Sequence, residues 1–466
     1  MTERDSEPQV HVDLVVVGFG KGGKTLAAAL GRQGWKVVLI EQSAEMYGGT
    51  CINIGCVPTK SLVFQSERVG EADAGPESYR RAVSVELALT AKMRAGNFAL
   101  LDDIDSVTVL TGRARFVDPH TVHVTLTDGG GAITVTADHI VVGTGSQPII
   151  PDIPGLRGSP VVATSTDLLA NPELPPRLVV LGGGYVGLEF ASIYAAYGSE
   201  VTVLEHHSQI LGQEDDDVAA CARDILHGNG ITVITDAEVR HVEDGQDSSA
   251  TVFYGHGGHS KSIAADVILV ALGREPVTAG LDLEKAGVRL TSAGAVDVDD
   301  HLRSSQPHIF AVGDVNGGPQ FTYVSLDDHR IVLDQLTGAG TRSTADRRAV
   351  PYTLFMTPPL ARVGLTERAA RTAGYRVTVA ALPVAKMGTV PRAGIVGETR
   401  GMMKVVVDAD TDEILGAALL SYDSHEVINT VALAMRHGIT ATQLRDEIYT
   451  HPSMTEGFNQ LLGALA

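Results

Sequence analysis

Cysteine is nearly absent, with three residues in a chain of 466. That count excludes a disulfide-built scaffold, because such frameworks belong to short, cysteine-dense secreted chains. Positive charge is also scarce. There are 36 Lys and Arg against 56 Asp and Glu, a formal charge of −20, which argues against nucleic acid and anionic membrane surfaces as partners. No apolar run reaches the ~18 residues of a membrane span. The opening Met1-Thr2-Glu3-Arg4-Asp5 has none of the character of a secretory signal. The expectation is a cytoplasmic protein whose few cysteines are redox-active rather than structural. What is present is ordinary for a globular chain, 44% hydrophobic and 20% charged, and the length predicts two to four domains.

Two of the three cysteines stand together in Gly48-Gly49-Thr50-Cys51-Ile52-Asn53-Ile54-Gly55-Cys56-Val57-Pro58-Thr59-Lys60. In a regular helix, residues five apart have Cα atoms about 8–9 Å apart, whereas a disulfide tolerates at most ~6.8 Å. The pair can close only where the helix start is distorted, and Asn53 and Gly55 are residues that permit this. Val57-Pro58 suits a helix opening, where a missing amide hydrogen costs little. A cysteine at such an N-terminus gains thiolate character. The alternative is two cysteines simply buried in a core.

Upstream lies a dinucleotide fingerprint. The strand pattern Val12–Val17 runs into Gly18-Phe19-Gly20-Lys21-Gly22-Gly23, a helix-forming stretch follows from Lys24 to Leu30, and the strand Lys36–Ile40 ends at Glu41. Gly18, Gly20 and Gly23 allow a tight turn and close approach of a pyrophosphate to the helix N-terminus, and Glu41 is placed to accept from a ribose diol. The pattern recurs. Strand Arg177–Leu181 leads into Gly182-Gly183-Gly184-Tyr185-Val186-Gly187, and strand Glu200–Leu204 ends at Glu205. Gly182, Gly184 and Gly187 repeat the glycine roles. A carboxylate at Glu205 pairs with a free 2′-hydroxyl and repels a 2′-phosphate, favouring NADH over NADPH, with His206 and His207 softening the preference.

Elsewhere, Asp128-Gly129-Gly130-Gly131 and the run around Asp244-Gly245 read as hairpin turns. Val141–Ser146 is a strand entering a small-residue loop that contains Gly145. Ile309–Val312 is another, ending in Gly313-Asp314. Beyond Pro351, strand-like Met403–Val407 and Ile414–Leu420 alternate with helical Glu426–His437, which indicates a separate α+β domain. Cys221 reads as a buried helix residue. His206-His207, His256-Gly257-Gly258-His259 and the methionines Met356, Met402, Met403 and Met454 are metal ligands in principle. Surface and core duties account for them better, and no resident metal site is expected.

With GGTCINIGCVPTK, both fingerprints, the Gly313-Asp314 loop and the terminal His451-Pro452-Ser453-Met454-Thr455-Glu456 in this order, the chain resembles the class I flavoprotein disulfide reductases, which include glutathione reductase, dihydrolipoamide dehydrogenase and mercuric reductase. Met46–Gly49, Gly317–Asp328, Phe355–Leu360 and Asp423–Glu426 carry a closer likeness to a mercuric-reductase-like branch associated with reactive-chlorine resistance and copper(II) reduction. The resemblance implies an α/β fold of two Rossmann-like domains with a C-terminal α+β dimerisation domain. The expected boundaries are 1–152 for the first part of the FAD domain, 153–272 for the NAD(P) domain, 273–348 for the returning FAD and central part, and 349–466 for dimerisation.

The resemblance further implies that FAD occupies the first fingerprint, with Gly49, Thr50, Lys60, Gly145 and Gly273 nearby and Asp314 on the ribityl chain. Lys60 pairs with Glu189 beside the flavin, and Tyr185 covers the nicotinamide pocket. Cys56 contacts the flavin and Cys51 meets the substrate. His451, oriented by Glu456, is the acid–base group supplied by the second subunit of a homodimer.

Departures narrow the field. Where glutathione reductases carry paired arginines, this chain has Ala28 and Ala29, and it ends Gly463-Ala464-Leu465-Ala466 without a C-terminal thiol pair. The expected substrate is a soft electrophile, copper(II) or mercury(II), held only transiently by Cys51 and Cys56. Dihydrolipoamide dehydrogenase is the second enzyme reading, and a non-catalytic flavin redox sensor is a third.

Overall fold

A computed structural model describes residues 8–127 and 129–465. Asp128 of the first expected hairpin turn and Met1-Thr2-Glu3-Arg4-Asp5 lie outside the described residues. The chain divides into two compact units.

The first unit comprises 8–61, Ser84–Ile149 and Gly273–Asp346. Strands apolar at nearly every position need cover on both faces, which a parallel sheet provides. Gln9–Val17 pairs in parallel with Val37–Glu41, Leu14 opposite Val37 through Val17 opposite Ile40, and on its other side with Ala132–Val142. Ile309–Ala311 adds in parallel beside Ala132–Val142, so the chain returns to its first sheet after some 160 residues. Val107–Asp118, Thr121–Leu126 and Ala132–Val142 form an antiparallel meander on the same sheet. Helix Lys21–Arg32 buries Leu26, Ala27, Ala28 and Leu30 against this sheet.

Helix Pro76–Asp102, at 27 residues, has no counterpart in the sequence reading. Val85, Leu87, Leu89 and Leu100 on it are exposed, which blurs the 3.6-residue pattern.

The second unit comprises Leu62–Val83, Ile150–Leu272 and 347–465. Arg177–Leu181 lies between Glu200–Leu204 and Val267–Val270, and Thr232–Ile234 and Val162–Ala163 extend this parallel sheet. The hairpin read at Asp244-Gly245 joins antiparallel Glu238–Asp244 and Ala250–His256. Five antiparallel strands form the C-terminal sheet, in which Met402–Asp408 and Ile414–Leu420 are neighbours. Helix Ser424–Arg436 covers it through Val427, Ile428 and Val431. Cys221, in helix Asp216–Gly228, is half-buried rather than buried, and desolvation pushes its thiol up. No helix among the described residues is long and apolar enough to cross a membrane.

Candidate active site

Backbone crowding places the cysteine pair. Gly48 and Gly49 have φ of +98° and +78°, and a Cβ on Gly49 would stand 2.6 Å from Gly20 Cα, so the cysteine loop presses on the first fingerprint. A short helix, Thr50–Asn53, follows. The chain breaks at Ile54, with φ −142° and ψ 19°, and a new helix runs from Cys56 to Ser66. That break is the distortion the spacing demanded, and it takes in Gly55, one of the two permissive residues, together with Ile54. Asn53 stays helical and its amide donates to Tyr47 O and Gly49 O, each at 3.0 Å. Gly55 is needed for space, since a Cβ there would lie 3.0 Å from Thr50 O.

The Cys51 and Cys56 side chains are hydrogen-bonded to each other. That bond, then burial, pushes the Cys51 thiol far up. Thr322 Oγ1 lies 3.5 Å from Cys56 Sγ. The buried Lys24 ammonium donates to Gly48 O at 3.3 Å and to Asn97 Oδ1. Burial and then the Lys21 charge pull its pKa down to about 8, against the opposing influence of Cys51.

The first fingerprint suits a pyrophosphate-bearing cofactor. Gly18 has φ +106° and its Cβ would meet Gly143 O at 2.3 Å, which fixes the turn. Gly20 opens helix Lys21–Arg32 with no side-chain cap, leaving the amide end for an anion. The buried Glu41 accepts from Phe19 N at 2.9 Å, and burial raises its pKa. Around the redox loop, a Cβ on Gly145 would stand 3.9 Å from Thr50 Oγ1, and Gly273, at φ +121°, accepts from Ile149 N at 3.0 Å. Asp314 accepts from Ser146 Oγ at 2.6 Å, and Arg274 donates to Ser146 Oγ at 2.9 Å. Arg274 is largely desolvated, which pulls its pKa down, while Asp314 and Cys56 raise it. Sequence reasoning missed Arg274, Lys24 and Thr322.

It also missed why Gly317–Asp328 carries a likeness. Helix Thr322–Thr337 turns three residues, three apart, onto one face. Thr322 touches Cys56, Ser325 Oγ accepts from Gly22 N at 3.0 Å, and Asp328 accepts from Gly313 N at 2.6 Å. One helix thereby fixes the cysteine pair, the first fingerprint and the Asp314 loop.

In the second unit, Gly182 repeats the turn at φ +109°, and a Cβ on Gly187 would lie 2.2 Å from Gly182 O. A Cβ on Gly184, the N-cap of helix Tyr185–Ala196, meets nothing within 4 Å, so space remains at the helix mouth. Glu205 accepts from Gly183 N at 2.7 Å and His207 N at 2.8 Å, so its first task is to close its own loop. Its oxygens retain lone pairs for a ribose. On the same helix, Tyr185 donates to Glu214 at 3.2 Å, and Glu189, one turn on, accepts from Phe355 N at 2.9 Å. Lys60, half-buried one turn beyond Cys56, belongs to the first unit.

His451 Nδ1 lies 2.9 Å from Glu456 Oε2. A carboxylate needs a donor, so Nδ1 carries hydrogen, and in the neutral ring Nε2 is the nitrogen with the lone pair. Ser453 N donates to the other Glu456 oxygen at 2.9 Å. Burial raises the Glu456 carboxyl, but the Ser453 amide and His451 outweigh it and leave the pKa below the usual value. The His451 side chain is 69% exposed, so its free nitrogen is accessible to a reactant. No group of three or more His, Cys, Asp or Glu among the described residues is arranged to hold a metal ion. His206 and His207 are exposed, and Met356, Met403 and Met454 are core residues.

A glycine fingerprint pressed against a paired-thiol loop, a second fingerprint and a histidine–carboxylate pair define a nucleotide-dependent dithiol oxidoreductase. The family model "Pyridine nucleotide-disulphide oxidoreductase" matches residues 12–328 and that of its dimerisation domain residues 350–462, and the chain belongs to this family. Escherichia coli (strain K12) RclA is 45% identical over 447 residues, covering 96% of this chain and 98% of that protein. The dihydrolipoyl dehydrogenase of Geobacillus stearothermophilus is 34% identical over 457 residues, 96% of this chain and 94% of that protein. The solved Cu(II) complex of the HOCl-induced flavoprotein disulfide reductase RclA from E. coli superposes with a TM-score of 0.91 at 44% identity, covering 97% of this chain and 99% of that one. The protein is therefore a flavoprotein oxidoreductase that uses FAD and NAD(P)H, with a C-terminal dimerisation domain, as the resemblance implied.

Proposed function

We propose that this enzyme passes electrons from NADH through FAD and the Cys51–Cys56 pair to a soft electrophile, copper(II) or mercury(II), in defence against oxidative and reactive-chlorine stress. The observation that carries the reading is the Cys51–Cys56 pair at the helix break, together with a core residue, Ala28, at the position where a glutathione-binding arginine would be needed. The copper complex of the related RclA adds weight to copper. Gly18, Gly20, Gly23, Glu41, Gly49, Thr50, Gly145, Gly273 and Asp314 hold FAD, with Lys60 and Glu189 paired beside it. Gly182, Gly184, Gly187 and Glu205 hold NADH, which Glu205 favours over NADPH, and Tyr185 covers the nicotinamide pocket. When bound, FAD supplies two-electron transfer between nicotinamide and sulfur.

The residues do the rest. Two electrons and one proton convert the disulfide to a Cys51 thiol and a Cys56 thiolate. Cys51 gives its proton up to Nε2 of His451 from the partner chain of a homodimer. Two thiolates then bind the metal ion and return to the disulfide, delivering two electrons, enough for two copper(II) to copper(I) or one mercury(II) to mercury(0). We assign 1–152 and 273–348 to the FAD and central domains, 153–272 to the NAD(P) domain and 349–466 to dimerisation, and place the enzyme in the cytoplasm. The test is NADH oxidation with copper(II), mercury(II), lipoamide and glutathione disulfide side by side. Metal-ion turnover that requires both cysteines supports the proposal. Turnover of lipoamide alone overturns it in favour of dihydrolipoamide dehydrogenase.

A further inference from the structure

Behind the mouth of the second fingerprint is a buried carboxylate that neither loop motif accounts for. The Glu214 side chain is 0% exposed and that of its ion-pair partner Arg362 is 4% exposed. Glu214 Oε2 accepts from Arg362 Nη1 at 3.1 Å. Oε1 accepts from two phenols, Tyr185 at 3.2 Å and Tyr352 at 3.1 Å. Tyr352 and Arg362 are register partners on neighbouring strands of the C-terminal sheet, and the rings of Tyr352 and Tyr185 tilt together at 5.4 Å.

The backbone of Glu214 is pinned on both sides. Its amide donates to Leu211 O at 2.8 Å, and its carbonyl accepts from Arg368 Nη2 at 3.1 Å and Gln209 Nε2 at 3.3 Å. Leu211 N in turn donates to Gly183 O at 3.0 Å. A single short segment therefore grips the fingerprint loop and holds the residue at its mouth. Burial first, then the Glu214 charge, pushes the Tyr185 hydroxyl far up, so it remains a donor.

Resting on the reading that Tyr185 covers the nicotinamide pocket, we propose that Glu214 is a positioning residue, a latch that holds the Tyr185 ring closed and sets the fraction of enzyme open to NADH. Two donors on one oxygen give this arrangement its character. When Tyr185 swings out, Tyr352 still donates to Oε1 and Arg362 to Oε2, so opening breaks the bonds of Tyr185 to Glu214 and to Tyr352 without stranding a buried charge. The apparent affinity for NADH rises with the open fraction. Tyr352 shares the Glu214 oxygen with Tyr185 and also bonds to Tyr185, so it acts on NADH only through the Tyr185 hydroxyl.

Glu214→Gln strips Arg362 of its counter-charge and can unfold the protein, so the phenols carry the test. Stopped-flow reduction of the FAD-loaded enzyme by NADH is measured for Tyr185→Phe, Tyr352→Phe and the double variant, with inhibition by ADP-ribose, which lacks the nicotinamide, measured in parallel. Tyr185→Phe should lower the NADH concentration for half-maximal reduction about tenfold with little change in the limiting rate, while Tyr352→Phe should shift it about threefold only where the Tyr185 hydroxyl is present. The double variant should match Tyr185→Phe, and ADP-ribose inhibition should stay constant throughout. If Tyr352→Phe shifts NADH equally in both backgrounds, the latch is wrong while the pocket reading stands. If Tyr185→Phe shifts NADH and ADP-ribose alike, Tyr185 does not stand at the nicotinamide pocket and both readings fail.

Discussion

The two glycine fingerprints share a construction and differ in what holds them. In each, the first glycine turns at positive φ, +106° at Gly18 and +109° at Gly182, and the acid ending the next strand accepts the amide of the second loop residue, Phe19 for Glu41 and Gly183 for Glu205. The first loop is then fastened by Ser325 and crowded by the cysteine segment at Gly49. The second is fastened by Leu211, and the tyrosine that opens its helix is hydrogen-bonded to Glu214. A cofactor that stays calls for fixed walls, whereas one that binds and leaves each cycle calls for a wall that moves. On the proposed assignment of FAD to the first loop and NADH to the second, one motif is tuned for residence or for exchange by its neighbours.

The contrast can be broken in stages. Replacing Cys51 or Cys56 by Ser should remove essentially all acceptor turnover, on the order of a thousandfold, yet leave FAD bound and reducible by NADH, because neither fingerprint relies on sulfur. In the Cys51→Ser variant the Cys56 thiolate should give a long-wavelength charge-transfer absorption with oxidised flavin, and Cys56→Ser should not. The reverse pattern would exchange the roles of the two sulfurs.

Gly18→Ala and Gly182→Ala insert a methyl 2.3 Å from Gly143 O and 2.6 Å from Ala271 O. At positive φ each should cost about 2 kcal/mol or more, over tenfold in binding. The former should purify depleted of FAD, and the latter yellow but poorly reduced by NADH. Equal FAD loss in both would erase the distinction between the loops.

The smallest effect concerns Glu456, outside both loops. Its folded pKa is depressed, so its contribution to stability is fully present above its ordinary pKa near 4.5 and is lost as pH falls through the lowered value. Urea unfolding of Glu456→Gln against the parent should show a difference at pH 7 that shrinks at pH 3. A difference independent of pH would mean that the carboxylate charge does no stabilising there.

The sequence exposed those parts of the site whose chemistry is encoded locally. Both fingerprints, the CxxxxC run and the His451–Glu456 spacing lie within a few residues or one βαβ unit, and each is built in the structure as a local device. The residues that were missed act from afar. Ser325 reaches Gly22 across 303 positions, Thr322 reaches Cys56 across 266, and Tyr352 reaches Glu214 across 138. A serine, a threonine or a tyrosine in a helix or strand carries no mark of a partner that far away. The break between the two cysteines was anticipated as a need and Gly55 lies in it, but the part played by Ile54 was not, because Ile54 has no special backbone freedom.

Helix Thr322–Thr337 works as a ruler. Its contacts at 322, 325 and 328 are read off one face, and each residue of an α-helix advances about 100°. Inserting or deleting one residue between 323 and 327 would carry Asp328 a quarter-turn or more away from Gly313 while Thr322 stayed beside Cys56. Chain length in this stretch is therefore as constrained as residue identity, whereas the glycine hairpin at 257–258, where added Cβ atoms meet nothing, can absorb extra residues.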